Sequence, residues 1–203
     1  MLAYHNDPSI KAEILAELAA HRAADSLVQG YGYWKDGKGC AVGCTLKSGK
    51  HIEYETRFGI PIALARLEDV IFEGLPVVEA KAWPEAFMEA VQAGSDLSRV
   101  SWAFLHWILT DKAVNPGIDH PLVRDAVRAS ANLMADLAAG KTVLASAESA
   151  ASAAWSAASA ASAAWSAESA ESAARSAESA ESAERSAAYV LMSKKLLALL
   201  RAA

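Results

Sequence analysis

Two cysteines and a histidine stand close together in "GKGCAVGCTLKSGKHIEYE", and thiolate and imidazole are ligands that suit a zinc ion. Cys40, Cys44 and His51 follow a C-x3-C-x6-H spacing, with Glu53 or Glu55 available as a fourth donor. The spacing is looser than the usual zinc knuckle, so the simpler reading is two small, buried, reduced cysteines packed beside glycines. A nucleophilic Cys40 or Cys44 with His51 as base uses the same residues, yet no third, orienting residue is identifiable. "GIDHPLVRD" gathers Asp119, His120, Arg124 and Asp125, types that serve acid–base or metal chemistry. A cap at Asp119 before a helix that starts at Pro121, with Arg124 and Asp125 on its solvated face, explains them more simply.

"GYGYWKDGKG" holds the strongest candidates for contact with a small ligand. Gly30, Gly32, Gly37 and Gly39 offer backbone N–H groups, Lys35 and Lys38 supply charge, and Tyr31, Tyr33 and Trp34 could stack on a flat ring. Those parts would hold a nucleotide-like molecule. The stretch lacks the G-x-x-x-x-G-K-[ST] loop and does not open a Rossmann unit. The structural alternative is a turn with aromatic plugs.

The elements that must position these residues are helical. In "NDPSIKAEILAELAAHRAAD" Asp7 is placed to cap a helix with Pro8 at its first position, and Ile10, Ile14, Leu15 and Leu18 share a face. The closely spaced glycines between Val28 and His51 favour turns or a tight hairpin. "HIEYETRFG" reads as a short helix ending at Gly59. Pro61 opens another that carries Ile62, Leu64, Leu67, Ile71 and Leu75. A fourth is expected from Trp83 and Pro84 to Gly94. A fifth follows the Asp96 cap, with Val100, Phe104, Trp107 and Ile108 as its buried face. A sixth runs from near Pro121 to Gly140.

Residues 1–141 are therefore expected to form an all-α or nearly all-α globular head with one Gly-rich loop or small hairpin. A chain of 203 residues is long enough to bury a proper core without disulfides. "MLAYHNDPSIKAEIL" has no basic start and apolar run, and the two cysteines fit reduced thiols, so a cytoplasmic protein is expected. The apolar runs fall short of a membrane span. The formal charge of -5, with Lys and Arg scattered, gives no cationic footprint for nucleic acid.

From Thr142 to Ala203 Gly and Pro vanish and Ser, Ala and Glu dominate. Serines recur from Ser146 to Ser186 in steps of three, three and four, and Trp155, Trp165, Arg175 and Arg185 stand ten apart. Ala favours helix, and Glu171 with Arg175, like Glu181 with Arg185, sets acid four residues before base. The Ser stripe drifts about 80° per decad around a straight helix, so a partner following it requires a tight left-handed supercoil. Small side chains permit close approach of a second helix, and Trp155 and Trp165 are natural anchors. Beyond the repeat, Tyr189, Met192, Leu196, Leu199 and Leu200 form an amphipathic stripe that needs an apolar partner. An inert spacer is the alternative, and exposed Trp argues against it.

"SAAWSAASAASAAWSAESAESAARSAESAE" resembles the Ala-rich, Trp- and Arg-punctuated repeats of predicted immunity proteins of bacterial toxin systems, and of bacteriophage proteins that share them. "GKGCAVGCTLKSGKHIEYETRFGIPIALARLEDVIFEGLP" is similar to the head segment of such phage proteins. The resemblance brings no catalytic motif and implies a role in conflict between phage, bacterium and toxin. The expectation is a non-enzymatic binding protein without cofactor, an inhibitor or immunity factor that forms a homo-oligomer and docks on a protein of a defence or toxin system. A sponge for a nucleotide-like signal is the alternative, and a small hydrolase-like enzyme the third reading.

Overall fold

A computed structural model describes residues 1–121, 124–141 and 176–203. All regular structure among these residues is helical: α1 (Pro8–Ala23), α2 (Ala41–Leu46), α3 (Glu53–Phe58), α4 (Ile62–Gly74), α5 (Val77–Ala90), α6 (Val100–Thr110), α7 (Arg124–Ala138) and α8 (Ser176–Ala202). Short 3-10 turns lie at Ala3–Asn6 and Pro116–Asp119. The all-α expectation holds, and no helix among the described residues is long and apolar enough to cross a membrane.

The chain divides into two units, Met1–Ser101 with Tyr189–Ala203, and Trp102–Ala188. In the first unit α1 lies along α5, and α2 packs against α1 and α4. Its fully buried side chains include Tyr4, Leu18, Tyr54, Leu64, Ile71, Phe72, Phe87 and Met88. Asp7 caps α1 as expected, its Oδ1 accepting the Ser9 N–H at 2.8 Å. Gly59 ends α3 in the left-handed conformation, where a side chain would meet the Leu2 carbonyl. Polar side chains then serve two helix ends whose last carbonyls have no partner within the helix. Gln29 Nε2 donates to the carbonyls of Phe72 and Leu75 at the end of α4, and Lys11 Nζ to those of Glu89 and Val91 at the end of α5.

Three differences from the sequence reading have physical causes. α5 starts at Val77, after Pro76, and encloses Pro84. A proline inside a helix costs about 3 kcal/mol, and here burial of Ala80, Trp83, Phe87 and Met88 on one face offsets it. α2 forms inside the Gly-rich stretch because all six of its residues are buried, so packing overrides weak local propensity. The Gly94 region carries no helix: Gly94 has φ +82°, its N–H donates to Ala3, and the Asn6 amide sits where its side chain would be.

Within the second unit Leu109, Ala131 and Met134 are buried, with Trp102, Leu105, Val127, Leu133 and Leu137 packed on them. Along α6 Val100 and Phe104 are buried as expected, Leu109 is buried as well, and Trp107 and Ile108 are only half-buried. Gly140 terminates α7 with φ +75°, its N–H donating to Leu137 and that of Lys141 to Asp136, a Schellman pattern. The expected boundary at Thr142 and most of the decad repeat lie outside the described residues.

Candidate functional site

The loop "GYGYWKDGKG" is a strap that ends in a tight turn. Asp36 and Gly37 both have positive φ, and the N–H groups of Lys35 and Lys38 donate to each other's carbonyls at 2.8 and 2.9 Å. This is the two-residue turn that Asp-Gly favours. Lys35, Gly37 and Lys38 stand exposed at its tip. The glycine N–H groups expected for a ligand are partly consumed: Gly30 donates to Glu73 Oε2 at 2.8 Å, and Gly39 to the Ser26 carbonyl at 3.0 Å.

Of the loop aromatics only Trp34 is half-buried as a plug would be. It meets the His21 ring edge-on at 5.2 Å, while Tyr33 meets His51 at 5.6 Å with the rings nearly perpendicular. Tyr31 and Tyr33 are both exposed, at 42% and 44%, and both can make an external contact. Tyr33 lies so close to α2 that a side chain at Gly39 or Gly43 would strike its carbonyl, and one at Gly49 its ring. Gly43→Ala is therefore expected to lift the strap and destabilise the first unit by about 2 to 3 kcal/mol. Urea unfolding checks it, and a midpoint equal to wild type would contradict the packing.

Beneath the strap the structure assembles a different set from the one expected around Cys44. Cys40 Sγ and one carboxylate oxygen each from Asp69 and Glu73 lie within 4.8 Å of one another. His51 Nε2 is 3.1 Å from Asp69 Oδ2. Cys40 is the residue just before α2, and Asp69 and Glu73 are one turn apart on α4. Cys44 points elsewhere, its thiol donating toward the carbonyls of Ser26 and Gly39. Of the expected ligands, Cys40 and His51 thus reach the cluster and Cys44 does not; Asp69 and Glu73 replace it. Helical period alone pairs Asp69 with Glu73, but the strap they face is set by tertiary contact.

The electrostatics are those of a crowded, partly desolvated acidic site. Burial, followed by the charges of Asp69 and Glu73, pushes the Cys40 thiol up to about 12. Burial alone raises Cys44 to about 11. Burial also raises Glu73, with the Asp69 charge adding to it, and raises Tyr33, whose phenol feels Asp69, Cys40 and Glu73. Since the thiolate is the nucleophile, neither cysteine is activated for covalent chemistry at neutral pH.

The chain matches no family model, no curated protein and no solved structure. Function rests on the site and the packing.

The remaining candidates are placed as follows. Asp119 pairs with Lys112 and Arg124 with Asp125, all exposed, so this region is a set of surface ion pairs. Trp155, Trp165 and Arg175 lie outside the described residues, and Arg185 is exposed on α8. Leu196 and Leu200 are fully buried, and the Tyr189 ring covers Gly74, whose missing side chain makes room for it.

Proposed function

We propose that this is a non-enzymatic binding protein of a phage or bacterial conflict system, an inhibitor or immunity factor that works by assembly and protein docking, with the Ala/Ser repeat as its docking segment. One observation carries the reading. The chain leaves the first unit at Ser101 and rejoins it at Tyr189, where Leu196 and Leu200 are buried in the first unit and Tyr189 lies over Gly74. The repeat thus belongs to an inserted stretch, residues 102–188, that is followed by a buried anchor. An inert spacer has no need of such an anchor, whereas a docking segment gains affinity when its support is fixed, because less freedom is lost on binding. The two thiols, both shifted upward by burial, offer no support to the cysteine-nucleophile reading. Trp155 and Trp165 are the residue type most often found at binding hot spots.

The test keeps the anchor. Residues 146–185 are replaced by a Gly/Ser segment of equal length, leaving Tyr189–Ala203 in place, and native mass spectra of both proteins are recorded. The expected result is a discrete homo-oligomer for the natural chain and a monomer for the replacement, with unchanged thermal unfolding of the head. A monomeric natural chain, or an oligomer that survives the replacement, overturns the reading.

A further inference from the structure

We infer that Cys40, Asp69 and Glu73 form a binding site for a divalent transition-metal ion of the zinc class. The three donors come from two separate elements: the residue before α2, and one face of α4. Such convergence is not forced by a single helix. The two carboxylates approach each other with no Lys or Arg ion pair to either among the described residues, and His51 lies 3.1 Å from Asp69. Two like charges at this range disfavour each other unless a cation or a proton intervenes. The Cys40 thiol completes the group.

The donor set selects the ion. Calcium and magnesium take all-oxygen shells, while one sulfur with two carboxylates suits a borderline-soft ion. A tetrahedral zinc ion, with bonds of about 2.0 to 2.3 Å, sets its ligands roughly 3.3 to 3.8 Å apart. Closing a set that lies within 4.8 Å therefore asks for about an ångström of side-chain movement. Supporting contacts leave one oxygen of each carboxylate available. His51 contacts Asp69 at Oδ2, and Gly30 donates to Glu73 at Oε2. Second contacts of this kind orient metal ligands. Three protein ligands leave a fourth position for water or for a donor atom of a bound molecule.

The experiment uses the full chain, stripped with a chelator and titrated with Co2+. The expected result is one ion per chain with a sulfur-to-cobalt charge-transfer band in the near ultraviolet, lost on addition of Zn2+. Cys40→Ser should abolish the band, whereas Cys44→Ser should keep it. Because Cys40 is buried, the double variant D69N/E73Q provides a second arm at partly exposed positions. It should keep native circular dichroism and bind Co2+ at least about tenfold more weakly. Absence of the band in the natural chain, its persistence in Cys40→Ser, or unchanged affinity in D69N/E73Q would each overturn the site.

Discussion

Replacing Leu196 and Leu200 together by alanine is expected to unfold the first unit. Both side chains are fully buried and lie one turn apart on α8, so they form one contact ridge of that helix. A buried Leu→Ala change costs about 2 to 5 kcal/mol. The pair then removes roughly 4 to 8 kcal/mol, allowing for partial overlap, against about 5 to 15 kcal/mol for an entire domain. Hydrogen exchange read peptide by peptide is the suitable measurement, because it reports the first unit separately. Peptides from α4 and from residues 189–203 should lose protection together. Leu191→Ala, on the same helix but 40% exposed, should change stability by less than about 0.5 kcal/mol. If the double variant keeps native protection in α4, the anchor is not what holds the repeat's far side, and the docking-segment reading loses its support.

That anchor was half legible in the sequence. The stripe of Tyr189, Met192, Leu196, Leu199 and Leu200 declares that a partner must exist, because an apolar helix face is unstable in water. Which surface covers it is a tertiary fact: Gly74 sits at the end of α4, where the absence of a side chain admits the Tyr189 ring. The same division runs through the head. Asp7, Gly59 and Gly140 mark helix ends because capping is a contact between near neighbours in the chain. α2 was not legible, since Gly43 reads as a breaker until Tyr33 is seen lying against it. Pro84 misled for a related reason: the rule that places proline at a first turn is local, whereas burial of the surrounding face decides the outcome. The Cys40, Asp69 and Glu73 cluster needed both kinds of information. Helical period pairs the acids, and only the fold brings the thiol to them.

Glu68 yields the second large effect, a loss of stability as pH rises. The side chain is fully buried; Tyr54 Oη donates to its Oε2 at 2.5 Å, and its Oε1 has no hydrogen-bond partner among the described residues. The titratable groups that face it are Tyr54, Tyr4 and Asp69. Burial raises its pKa from 4.5 to about 8, the Asp69 charge adds to the shift, and the Tyr54 hydrogen bond opposes it. The folded state therefore holds a proton that the unfolded chain has released, so stability falls as pH climbs from about 4.5 to about 8 and levels off above. At about 1.4 kcal/mol per unit, the change amounts to a few kcal/mol. Glu68→Gln keeps the shape and an oxygen to accept from Tyr54 but cannot ionise. Urea midpoints at pH 5 and pH 9, with chelator present, separate the two proteins. The natural chain should weaken toward pH 9, while the variant should match it at pH 5 and exceed it at pH 9. His21, which burial shifts downward, and Glu73 titrate in both chains and cancel in the comparison. An equal fall in natural chain and variant would mean that Glu68 remains ionised in its buried place, stabilised by a contact other than Tyr54.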